Sequence, residues 1–165
     1  MHARGFATIA KATGMALVIA LLASATLAAL AAPAPVSPQA KLALIDAATS
    51  ELKALALYQA VVKKFGDHRP FASWIKTGPE RIDEQLKPLF TKYGVAMPAA
   101  PDAAKVQAPA SFKDACRMAN QIEGERVALY EQFLKTIKES DIVAAFTEMR
   151  DAARRRLNGV REHCE

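Results

Sequence analysis

The chain has 165 residues, 24% of them charged, with 22 Lys and Arg against 17 Asp and Glu, and only two Cys and three His. From Pro38 onward its basic residues are interspersed with acids except at Arg154 to Arg156, which gives nucleic-acid binding little support. The length is enough for one domain with a real core.

The first segment is set apart by composition. His2, Arg4 and Lys11 form a basic start without an acid, and "MALVIALLASATLAALAA" then runs apolar from Met15 to Ala32. Small residues at Ala29 and Ala31 match a signal-peptidase site, so residues 1–31 are expected to be a cleaved signal peptide. An uncleaved membrane anchor is the rival reading, because 18 apolar residues could just span a bilayer. Cleavage makes the protein periplasmic or secreted, with no stable membrane association afterwards. It also removes two of the 22 basic residues and none of the 17 acids, which lowers the net charge from +5 to about +3. Residues 32–36 then form a short tail before a domain over 37–165.

Four helical segments follow. Ser37 and Pro38 are a good N-cap and N1 pair, and Gly66 is a natural stop. The stripe between them is Leu44, Ala48, Glu51, Leu55, Tyr58, Val62 and Phe65, a glutamate among apolar neighbours. The second helix is expected from about Pro70 to Tyr93, interrupted at "TGPE" by Gly78 and Pro79 and bent again at Pro88. Residues 95–111 are rich in Ala and Pro and read as a long linker, able to cross ~50 Å if extended. Such a length permits a crossover back along a bundle. Ser111 and Asp114 form a capping box for a third helix over roughly 112–138. Its stripe is Cys116, Ala119, Val127, Tyr130, Leu134 and Ile137, and Glu123 falls in its middle. Ser140 or Asp141 caps the fourth, about 142–163, with Ile142, Phe146, Met149, Ala153, Leu157, Val160 and Cys164 facing inward. The fold class is therefore all-α, a four-helix bundle.

Helices three and four form a hairpin turning near Ser140, so residue numbers facing across it add to about 280. Cys116 and Cys164 meet that condition, and an oxidising compartment would join them in a disulfide; two free thiols are the alternative. The same register puts Leu157 opposite Glu123. In di-iron bundles helices one and three each supply one Glu, and the other two each supply Glu-x-x-His. Glu51 and Glu123 stand where half of that set would.

The stretches "ELKALALYQAVVKKFGDHRPFASWI", "LKPLFTKYGV" and "ALYEQFLKTIKESDIVAAFTEMRDAARRRLNGVREHC" resemble a bacterial ferritin-like family, domain of unknown function 2202. The resemblance runs from about Ala47 onward. It implies a ferritin-like bundle, with a Glu and a Tyr in helix one, a Tyr-Gly ending helix two, a Glu in helix three and a Cys closing helix four. It also implies Glu-x-x-His motifs, and here this sequence departs. The helix-two positions hold Pro79 and Ile82, with Glu80 and Asp83 one residue along at the right spacing; the helix-four histidine position holds Leu157 or Asn158. The remaining histidines, His68 and His163, lie far from Glu123.

Two readings stay open for the acids. Glu51 and Glu123, helped by Glu80 or Asp83, could hold a hard divalent ion on oxygen ligands alone. Alternatively they are buried acids satisfied by an arginine, Arg126 or Arg156, or by the Tyr58 and Tyr130 hydroxyls. Phe71 and Trp74 are expected in the core. No nucleophile–base pair or phosphate loop is present. The expected function is an exported structural or interaction module without di-iron catalysis or cofactor, with a homodimer or a protein partner fitting that role. The alternative is a carboxylate metal-binding protein.

Overall fold

A computed structural model describes residues 33–164, which belong to one compact unit. The expected signal peptide and any anchor lie outside the described residues. Within them the chain is all-helical, and no helix is long and apolar enough to cross a membrane.

Helix α1 spans Pro38–Phe65. The Ser37 hydroxyl accepts from the Ala40 N–H, and Pro38 occupies the first turn, where its missing N–H costs nothing. Gly66 ends the helix at φ 90°. Its buried face is small, with Ala40, Ala43, Ala47, Ala48 and Ala54 letting neighbouring helices approach closely.

The second helical stretch does not break at Gly78 and Pro79. Helix α2 covers Phe71–Arg81 with Pro79 inside it, a π-helical turn covers Ile82–Leu86, and helix α3 covers Lys87–Tyr93. The irregularity falls before Pro88, which has no N–H to continue the regular ladder. The Lys87 N–H reaches back five residues to the Ile82 carbonyl instead. Gly94, at φ 61°, closes α3 in the left-handed region. Residues 95–111 carry no helix.

Helix α4 spans Phe112–Thr136, its Ser111 cap accepting from the Asp114 N–H, and α5 spans Ser140–Cys164. The Cys116–Cys164 disulfide and the Glu131–Arg154 ion pair fix α4 and α5 as an antiparallel hairpin. Tyr58 bonds to Glu123 and Tyr130 to Glu51, so α1 and α4 are antiparallel as well. One end of the unit gathers the start of α1, the end of α3 and the α4–α5 turn. There the Ala34 N–H donates to the Lys92 carbonyl and the Tyr93 hydroxyl to Asp141. The other end holds the disulfide, the end of α1 and the start of α2, where Phe65 and Phe71 meet Phe112 edge-on.

Two apolar clusters form the core. Leu44, Leu86, Phe90, Ile142, Phe146 and Met149 fill the turn end, while Tyr58, Val61, Phe71, Trp74, Ala119 and Val160 fill the disulfide end. Fully burying each large side chain contributes about 1.5–3 kcal/mol. Four charged residues lie buried between the clusters: Glu51, Glu123, Arg126 and Arg156.

Candidate functional site

The polar layer is built by helical spacing. On α4 the inward positions are Ala115 and Cys116, then Ala119, Glu123, Arg126 and Tyr130, each three or four residues after Cys116 or the one before it. On α5 they are Ile142, Ala145, Phe146, Met149, Ala152, Ala153, Arg156 and Val160. Two expected positions are thereby corrected. Arg126, not Val127, faces inward on α4, and Arg156, not Leu157, stands opposite Glu123. Val127 and Leu157 are only half-buried. The one-residue rotation follows from the Cys116–Ala119–Glu123 and Met149–Ala153 ladders, which an apolar stripe assembled by residue type does not respect.

Glu123 has no exposed surface, Arg126 is 2% exposed, Glu51 3% and Arg156 7%. Arg126 is the hub. Its Nη1 donates to Glu123 Oε1 at 2.8 Å, and its Nη2 is in direct contact with Glu51 Oε1. Arg156 comes from the opposite helix, with Nη1 3.3 Å from Glu123 Oε2 and Nη2 3.7 Å from Glu51 Oε2. The Tyr58 hydroxyl donates to Glu123 Oε1 at 2.6 Å, and that of Tyr130 to Glu51 Oε1 at 2.9 Å. Two carboxylates face two guanidiniums, so the buried layer is charge-balanced. Each carboxylate also accepts a phenolic hydrogen bond.

Burial raises the Glu123 carboxyl above the ordinary range, opposed by the Arg156 charge, the Tyr58 hydrogen bond and Arg81. Burial and the repulsion of Arg156 pull Arg126 down to about 9, still charged at neutral pH. Burial pushes Tyr130 up to about 12 and Tyr58 well above its usual value, so both hydroxyls remain donors. Arg81, half-buried on α2, is lowered by burial and by the charges of Arg156 and Arg155.

Of the four acids read from the sequence, the structure brings together Glu51 and Glu123 only. Glu80 and Asp83 are exposed, and Asp83 pairs with Lys87 at 2.5 Å on the surface. At the level of the polar layer this helix presents Trp74, Gly78 and Ile82, and the π-turn begins too late to rotate Glu80 inward. Among the described residues no group of three or more His, Cys, Asp or Glu side chains is placed to hold a metal ion. The donor set does not fit a di-metal centre, because two guanidiniums occupy the space between the acids and supply the positive charge that metal ions would. The space beside them, lined by Glu51, Tyr58, Gly78, Ile82, Arg126 and Arg156, amounts to about 10 Å³. That is the size of one water, too small for a substrate.

Phe71 and Trp74 are core residues, their rings 5.6 and 5.0 Å from that of Tyr58. The two cysteines form a disulfide. Compared with family models, curated proteins and solved structures, the chain matches none of them.

Proposed function

We propose that this chain is an exported ferritin-like bundle that acts as a structural or interaction module, with a guanidinium–carboxylate layer standing where a di-iron protein carries its metals. The observation that carries this reading is the position of Arg126 and Arg156 between Glu51 and Glu123. A buried cation bound to both acids consumes the ligands that redox chemistry would use, and breaking such a layer costs stability. The ferritin-like assignment is supported by chain direction. With α1 antiparallel to both α2 and α4, the segment from Gly94 to Ser111 has to return from the α4–α5 turn end to the disulfide end. A single long crossover of this kind is the ferritin-like connection. Export is supported by the disulfide, which persists in oxidising compartments.

Elemental analysis of the exported protein tests the reading, with a Glu51→Ala, Glu123→Ala double variant alongside. The expected result is no stoichiometric metal in either. Stoichiometric iron, manganese or another divalent ion in the wild type that disappears in the double variant would overturn it in favour of a carboxylate metal site.

A further inference from the structure

The disulfide is not sealed in the core. Cys116 is 5% exposed, but Cys164 is half-buried in the last turn of α5, and both line an open cleft of about 420 Å³ between α4 and α5. The cleft is ringed by Lys113, Arg117 and Arg161. Arg117 is balanced by Asp114 at 2.7 Å. Lys113 and Arg161 are exposed, and neither has a carboxylate partner among the described residues. The sulfur–sulfur bond therefore sits in a cleft whose charged lining residues are all basic.

We infer that this cleft is a thiol-exchange site, at which a small anionic thiol attacks Sγ of Cys164 and leaves that residue S-thiolated. The class of reactant follows from the charge. Exchange proceeds through the thiolate, and a thiol that also carries carboxylates is drawn in by Lys113 and Arg161. The direction of attack follows from exposure. Cys164 is the more exposed of the two cysteines, half-buried at the end of α5, whereas Cys116 is packed into the apolar cluster around Phe71 and Trp74.

The step balances without an external oxidant. The incoming thiolate forms a new bond to Sγ of Cys164. The Cys116–Cys164 bond breaks with its electron pair on Sγ of Cys116, which takes a proton from solvent. A second thiolate can then attack the mixed disulfide, releasing the small-molecule disulfide and the Cys164 thiol. Either product frees the end of α5 from α4, where Val160 and Cys164 pack against the Phe71–Trp74 cluster.

The test uses the oxidised mature protein without denaturant. It is incubated with glutathione or with glutathione diethyl ester, whose carboxylates are masked. Samples are acid-quenched, alkylated and read by intact mass and peptide mapping, with rates expressed per thiolate. Glutathione is expected to modify Cys164 roughly tenfold faster than the ester at low salt, the lower end of electrostatic rate enhancement. High salt should close the gap. A Lys113→Gln, Arg161→Gln variant, changed only at exposed positions, should lose the preference for glutathione over the ester. Equal rates for the two thiols, an adduct confined to Cys116, or no adduct until denaturant is added would each overturn the inference.

Discussion

Replacing Arg126 by Met should expose how the polar layer is held. Arg126 is 2% exposed and touches both Glu51 and Glu123, so its removal leaves two buried carboxylates facing one guanidinium. Arg156 then remains at 3.3 Å from Glu123 and 3.7 Å from Glu51, and cannot neutralise both. Methionine keeps most of the apolar stem, so the loss is chiefly one uncompensated buried charge, about 3–5 kcal/mol. For a domain of this size that corresponds to a fall in Tm of about 10–20 °C. The deficit should also depend on pH. With Arg126 gone, the folded-state pKa of the unpaired acid rises further above its unfolded value. The native variant then gains stability by taking up a proton as pH falls, and loses it as pH rises. Urea unfolding followed by circular dichroism at about pH 7.5 and about pH 5 would therefore show the larger deficit at the higher pH. Adding Glu51→Gln to Arg126→Met restores the charge balance and should recover part of the loss. A deficit below about 1 kcal/mol, typical of a solvated ion pair, would refute the reasoning. So would a deficit that ignores pH or deepens with the second substitution.

Three further outcomes are expected. Burial holds the Glu123 carboxyl above the ordinary glutamate value of 4.5, so the folded wild type binds its proton more tightly than the unfolded chain. Its stability relative to Glu123→Gln should thus improve as pH falls from neutral towards 4.5; unfolding curves that drift the other way would contradict the shift. The disulfide closes a separation of 48 residues, and Cys116→Ser with Cys164→Ser should cost about 4 kcal/mol by the loop-entropy scale. Guanidinium unfolding midpoints of the two proteins read this, and a loss under about 1 kcal/mol would show that the bundle does not depend on the bond. Gly94 has φ 61°, and a Cβ there would lie 2.7 Å from the Pro33 ring, so Gly94→Ala should destabilise by about 1–3 kcal/mol. Changing Pro33 to Gly in the same chain, which removes both contacting ring atoms, should return part of that in a thermal melt; no recovery would assign the whole cost to the backbone conformation.

Much of this protein is legible one residue at a time. The caps at Ser37 and Ser111 and the stops at Gly66 and Gly94 act through local hydrogen bonds and allowed backbone angles, so they need no tertiary information. The Cys116–Cys164 pairing follows from equal rise along two antiparallel helices. The rotation of α4 and α5 was less legible. The ladder Cys116, Ala119, Glu123, Arg126, Tyr130 is present in the sequence, yet arginine on it competes with Val127 one position away. A stripe chosen for hydrophobicity takes the valine. The helix before Gly94 was harder still. Pro79 is tolerated inside α2, and the distortion moves to Ile82–Leu86, where the missing N–H of Pro88 is accommodated.

The sequence by itself determined four helical stretches, the caps at Ser37 and Ser111, the register that brings Cys116 and Cys164 together, and two glutamates on inward stripes. Only the tertiary structure decided what those glutamates meet. An isolated buried acid can be neutralised by a metal, a proton or a guanidinium, and the three are indistinguishable from helical spacing alone. The choice falls to Arg126 and Arg156 because the register of α4 against α1 and α5 aims both side chains into the same layer from opposite helices. Two cations and two anions then balance one another's charge within ion-pair distance, although the Arg126 Nε stays without a hydrogen-bond partner.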